Sequence, residues 1–174
     1  AASIVVTGTL TGDAAILTTE TISGAGTVAV TNLEATDTAN LSNITATTHT
    51  ADVSGTNTSF TGNVGDAAVT VSSGTWTVGN TATISGAASI VVTGTLTGDA
   101  AILTTETISG AGTVAVTALE ATVGADLSGL TATTVTGAAT LADATTVSFT
   151  GNLGTAAVAL TGTNGGGDDI FNVD

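Results

Sequence analysis

The sequence contains no Lys and no Arg. Pro, Cys, Met and Tyr are absent as well, and three Phe and one Trp supply all of its aromatic bulk. Each absence excludes a class. A chain without Lys or Arg cannot displace counterions from phosphates, which excludes nucleic acid as a partner. A chain without Cys has neither a disulfide framework nor a thiolate zinc site. A Ser-His-Asp set could draw only on His49, the single imidazole, so no enzyme is expected. Apolar runs fall short of about 18 residues, so no membrane span is expected.

What remains is mostly Thr, Ala, Gly and Val. The 174 residues carry 14 Asp plus Glu and a formal charge of -14. The apolar fraction of 42% is ordinary and separates the chain from disordered acidic tails. Its apolar residues are small or β-branched, which suits a thin core. The acids are dispersed and read mainly as solvated surface, although unopposed carboxylates can also recruit Ca²⁺. The opening stretch, Ala1-Ala2-Ser3-Ile4-Val5-Val6, has neither a basic signal-peptide region nor an initiating Met, and it reads as a portion of something longer. The missing Cys fits an exported bacterial protein that avoids stray disulfides, although a cytosolic protein can also lack Cys.

Internal repetition dominates the chain. Residues 1–31 recur identically at 87–117. Leu33-Glu34-Ala35-Thr36 then matches Leu119-Glu120-Ala121-Thr122, and NLSNITATT at 40–48 matches DLSGLTATT at 126–134. SFTGNVGDAAV at 59–69 matches SFTGNLGTAAV at 148–158, which places a three-residue insertion between 134 and 148. Inside this large repeat, TATISGAASIVVT at 81–93 resembles TETISGAGTVAVT at 105–117. A period in the low twenties divides the large repeat into about four units, the contour of solenoid coils. The chain divides into repeat 1 (1–86), repeat 2 (87–161) and a Gly/Asp-rich tail (162–174).

Short alternating runs rich in Thr, Val and Ile predict strands at Ser3–Thr7, Ala14–Thr18, Thr27–Thr31, Ala67–Val71, Thr75–Val78 and their copies. Gly, Asn, Asp and Ser punctuate them. The fold class is all-β, and the expected fold is a parallel β-solenoid of about eight coils. Val, Ile, Ala and Leu would form its inward ladders, and Thr and Ser its outward ones. Two tandem immunoglobulin-like β-sandwiches are the alternative, given the size of the large repeat. The inner period has no place in a sandwich, however, and Trp76 has no counterpart in the second repeat, where the matching stretch is TGTNG.

The tail holds the stretch Asn164-Gly165-Gly166-Gly167-Asp168-Asp169-Ile170-Phe171-Asn172. It resembles the nonapeptide of RTX proteins, the secreted bacterial calcium-binding β-roll family. Asn164 departs at the first Gly, Gly165 and Gly167 match, Asp169 takes the acidic place and Phe171 the apolar one. The resemblance implies a calcium site at Asn164, Gly165, Gly167, Asp168 and Asp169. A Gly-rich turn or linker accounts for the same residues. The composition of the whole chain is similar to that of repeat regions in large RTX-type surface proteins, adhesins and S-layer proteins. That likeness implies calcium, an extracellular or cell-surface location, and self-assembly or adhesion.

Other residues have structural readings. Asp13, Asp99 and Asp66 lie in Gly-Asp-Ala turns, where an Asp side chain bonds its own backbone two residues on. Glu20 with Glu106, and Glu34 with Glu120, are equivalent pairs. Four coils would separate them by roughly 20 Å, too far for a hydrolase pair. His49, among Thr residues, reads as an exposed side chain. Trp76 reads as the cover of a coil or as a sugar-stacking platform. Thr-x-Thr pairs at 7–9, 56–58, 75–77, 93–95 and 161–163 raise an ice-binding face, against which their irregular spacing counts. Three Asn-x-Ser/Thr triplets, at Asn40, Asn43 and Asn57, are formal glycosylation acceptors in a Thr-rich background. The expected function is therefore a structural segment that polymerises or forms a lattice with further copies. An adhesin module binding a surface glycan is the alternative.

Overall fold

A computed structural model describes residues 3–162 and 168–174. The chain is a parallel β-solenoid of about eight coils with almost no helix. Its strands are β1 (Ile4–Val5), β2 (Thr9–Asp13), β3 (Ile22–Thr31), β4 (Ile44–Val53), β5 (Ala68–Val71), β6 (Thr75–Val78) and β7 (Ser89–Val92). They continue as β8 (Thr95–Asp99), β9 (Ile108–Ser109), β10 (Thr113–Thr117), β11 (Thr134–Leu141), β12 (Thr146–Phe149), β13 (Ala157–Gly162) and β14 (Ile170–Val173). All pairings are parallel, as expected when each coil lies on the one before. Coil length ranges from 18 residues, Thr9 over Thr27, to 26, Asp126 over Asn152.

The alternation in sequence becomes alternation in burial. In β10, Val114 and Val116 point inward while Thr113, Ala115 and Thr117 stay partly exposed. Stacking puts like on like: Leu96 lies over Val114 and Val135, and Ile90 over Ile108. The interior is one continuous column of Val, Ile, Leu and Ala. Each fully buried Val, Leu or Ile contributes about 1.5–3 kcal/mol, and there is little room in it for larger side chains. Bulk is concentrated at Phe60, Trp76 and Phe149, all completely enclosed. Close coil contact also fixes Gly24 and Gly110, at φ +120° and +123°, where a Cβ would strike the carbonyl oxygens of Val6 and Val92 one coil earlier.

Two expectations fail locally. Ala14–Leu17 and its copy Ala100–Leu103 form single helical turns, α1 and α2, rather than strands. Ala and Leu favour helix over strand, and in α1 the Asp13 side chain caps the turn by accepting from the Ala15 N–H at 2.9 Å. The likeness of 81–93 to 105–117 is also not the stacking register, because Ile90 lies over Ile108, not over Val114. The extra residues of the second repeat fall at the corner after β11, where Ala144 adopts φ 56°.

The two large repeats distribute their equivalent strands differently between the sheets. β2, β3, β4 and β5 lie in one sheet with β1, β7 and β9. Their second-repeat counterparts β8, β10, β11 and β13 lie in another, with β6. β5 is the hinge of this shift, pairing with the end of β4 on one side and with β7, the copy of β1, on the other. Each large repeat thus climbs four coils and steps one sheet around the column.

Candidate functional site

His49 is buried, contrary to the expected exposure. In β4 the inward positions run Ile44 and Ala46, then Thr47 and Thr48 both face out, and His49, Ala51 and Val53 face in. The pairing of β3 with β4 slips between Gly24 and Thr27, and this slip turns His49 into the core over Val28. Its Nδ1 lies 2.9 Å from Oδ1 of Asp66, whose side chain is largely in solvent. Nε2 is enclosed with no hydrogen-bond partner. In acid-base catalysis by such a pair the second ring nitrogen faces a hydroxyl or a substrate site; here it points into the enclosed core. One signal in the sequence pointed to this burial: Val135 occupies the same place in the second repeat and is also buried. Asp66 has Thr155 as its counterpart, so the pair is present together in one repeat and absent together from the other.

Several other acids accept hydrogen bonds from neighbouring backbone and side-chain donors. Glu34 accepts from the N–H and hydroxyl of Ser54 one coil on, and Glu120 accepts from the Thr140 N–H at 3.0 Å. Asp126 accepts from the Ser128 hydroxyl and N–H, which holds its carboxyl below the usual range. Asp13 accepts from the Asn32 amide at 2.8 Å and the Ala15 N–H, and its carboxyl is likewise held low, the Asn32 bond being the larger cause. Asp99 makes no cap and accepts instead from the Thr117 hydroxyl. The turn-capping reading therefore holds for Asp13, whereas Asp99 and Asp66 have other partners.

A cleft of about 210 Å³ opens where α2 faces the previous coil, lined by Ile84, Ser85, Ile102, Thr105 and Glu106 among others. Partial burial there pushes the Glu106 carboxyl up. No second titratable group lines it.

Trp76 is not a surface platform. It is fully enclosed, its ring centroid 5.4 Å from that of Phe60, with a tilt of 56°. It also has a counterpart. β6 follows the coil of Phe60, with Phe60 against Val78, and β14 follows β12, with Phe149 against Val173. Phe171 accordingly occupies the place of Trp76 and stacks on Phe149 at 5.9 Å. Of the calcium residues implied by the RTX resemblance, Asn164, Gly165 and Gly167 lie outside the described residues. Asp168 is exposed and Asp169 half-buried, with one carboxylate oxygen enclosed and unpartnered. Among the described residues no three acidic or His side chains cluster as metal ligands.

The Thr-x-Thr pair at 75–77 stacks in register on Thr95 and Thr97, and Thr134 and Thr136 continue the same face. Ala115 and Ala157 interrupt the second column, so the unbroken ladder is a single file of Thr75, Thr95, Thr113 and Thr134 rather than a two-column array.

The most distinctive surfaces are the two ends of the stack. Ile4 and Val5 at the first coil, and Leu160, Ile170 and Val173 at the last, are among the few large apolar side chains left exposed. The strands that carry them, β1, β13 and β14, each have a partner on one edge only. Edges of this kind present free backbone donors and acceptors, and natural proteins usually block them with charge or Pro. No helix of the described residues is long and apolar enough to cross a membrane. No family model matches the chain, and neither a curated protein nor a solved structure matches it.

Proposed function

We propose that this chain is a structural, non-catalytic rod segment that self-assembles at its ends, belonging to an extracellular or surface protein of a bacterium. The observation that carries this reading is the pair of open apolar ends on a column whose sides are closed by Thr, Ser and acidic residues. Addition of a further coil would bury Ile4, Leu160 and Val173 and satisfy a row of backbone groups at once. The absence of Cys and the Thr/Ala/Gly/Val composition support export and a fibre, matrix or S-layer setting.

Calcium belongs to the same proposal. With no Lys or Arg in the chain, neutralising charge between meeting acidic surfaces comes from solution, and Ca²⁺ has the matching preference for oxygen ligands. The adhesin alternative loses its one candidate sugar platform, since Trp76 is enclosed.

Electron microscopy and sedimentation at rising protein concentration, with and without Ca²⁺, test the proposal. Filaments or end-to-end oligomers are expected, more abundant with Ca²⁺. A strictly monomeric chain in both conditions overturns the assembly, and equal assembly in both removes only the calcium.

A further inference from the structure

The chain contains a worked example of the junction its two ends would make. The coil that begins the second repeat is a sequence copy of the first coil, and it sits on β5 and β6. The last coil is built from β13 and β14, the counterparts of β5 and β6. A first coil therefore already rests, within this chain, on a coil like the last one.

The matching strands are close in sequence. β7 carries Ser89-Ile90-Val91-Val92, identical to Ser3-Ile4-Val5-Val6. Its seat, Ala68-Val69-Thr70-Val71, corresponds to Ala157-Val158-Ala159-Leu160. On the neighbouring sheet, Thr75-Trp76-Thr77-Val78 seats Thr95-Leu96-Thr97-Gly98, and Ile170-Phe171-Asn172-Val173 would seat Thr9-Leu10-Thr11-Gly12.

Burial shows what the ends lack. Ile90 is 2% exposed and Ile4, its copy, is 40% exposed. Val71 is 0% exposed and its counterpart Leu160 is 52% exposed. Val78 is 3% exposed and Val173 is 58% exposed. Each of these residues is covered at the internal junction and bare at the end.

Resting on the assembly reading above, we infer that a second copy of this chain docks head to tail in the register of the internal junction. Ala157, Val158, Ala159 and Leu160 of one copy pair with Ser3, Ile4, Val5 and Val6 of the next. Phe171 comes to lie under Leu10 of the next copy, as Trp76 lies under Leu96. The junction adds parallel strands to parallel strands at a spacing of about 4.8 Å, and the column continues through it.

Paired cysteines test this register, because the chain has no Cys of its own. The double variant Val5→Cys/Ala159→Cys places two outward thiols across the proposed junction, within the roughly 4.4–6.8 Å Cα separation of a disulfide. Within one molecule they are seven coils apart, roughly 34 Å, so they cannot close on themselves. Mild oxidation is expected to give a ladder of dimers, trimers and longer chains. Val5→Cys/Ala157→Cys, two residues out of register, should cross-link at least about tenfold more slowly. Leu160→Asp, which charges the covered position, should remain monomeric with an unchanged far-UV spectrum.

Faster cross-linking of the out-of-register pair overturns the register while leaving assembly standing. So does assembly by Leu160→Asp equal to the wild type. A wild-type chain that stays monomeric at every concentration brings down the assembly reading itself.

Discussion

Residues 3–31 and 89–117 share one sequence and have two different environments. The first copy caps the column, and the second lies inside it. Inside, Ile90 and Leu96 are enclosed by the coil below; at the cap, Ile4 and Leu10 are partly bare. The difference owes nothing to local sequence and everything to what is stacked beneath. A single change just outside the shared stretch rewires a further detail. Asn32 follows the first copy and Ala118 the second, both in the left-handed region at φ 53° and 54°. Asn32 binds Asp13 and leaves it free to cap α1, whereas with Ala118 in its place Asp99 turns to Thr117.

The sharpest way to break this comparison is at the aromatic pairs. Trp76→Ala empties an enclosed site and should cost about 3–5 kcal/mol. Phe171→Ala, at the equivalent place on the open end, should cost less than half as much in the monomer, because Phe171 is only partly covered. Denaturant titrations of the two variants measure the ratio, and equal losses would show that Phe171 is as well packed as Trp76.

A smaller effect is expected at the pair found in only one repeat. Asp66→Ala strands the buried His49 with both ring nitrogens unpartnered, at a cost of about 1–3 kcal/mol. His49→Val/Asp66→Thr installs the residues of the second repeat and should recover most of that loss. A double-mutant cycle reads the coupling directly. If the double variant is as unstable as Asp66→Ala, the two repeats do not offer equivalent sites.

The smallest effect concerns the left-handed corner. Ala118→Gly should stabilise by about 1 kcal/mol, since Gly adopts positive φ without a Cβ penalty. Ala118→Asn should in addition draw Asp99 toward the first-repeat arrangement. The mirror change, Asn32→Ala, removes the stronger of the two bonds that lower the Asp13 pKa. In the folded wild type that lowered pKa gives a stabilisation present above the ordinary value of 3.8 and lost as the pH falls through the lowered one. NMR titration of Asp13 in Asn32→Ala should show its pKa rising back toward 3.8 and this acid-side dependence shrinking. An unmoved titration would mean that the Ala15 N–H alone holds the carboxylate.

How much was legible in the sequence follows from which interactions are periodic. The coil contour, the parallel strands and the inward Val, Ile and Leu ladders all recur, and repetition exposed them. The burial of His49 depends on a register slip at Gly24 in the neighbouring coil, a nonlocal event. Even so, the Val135 in its place carried a trace of it. The kinship of Trp76 with Phe171 was hidden because Phe171 lies 95 residues after Trp76, whereas the preceding segment matches at an offset of 89. The helical turns at Ala14 and Ala100 were misread because an alternation count takes no notice of Ala and Leu preference or of an Asp cap. Turn composition was likewise uninformative about Asp99 and Asp66, whose partners sit on other coils.

The step of one sheet per large repeat also sets what a long filament would show to its surroundings. Were the two repeats stacked without that step, every exposed side chain would recur on one side and the rod would have a uniform stripe. With it, the surface pattern winds around the axis. Lateral neighbours meeting such a rod would touch it at intervals, and any side-by-side association would be periodic rather than continuous. In such a filament, growth along the axis and adhesion between rods would be separate properties, one set by the ends and the other by the pitch.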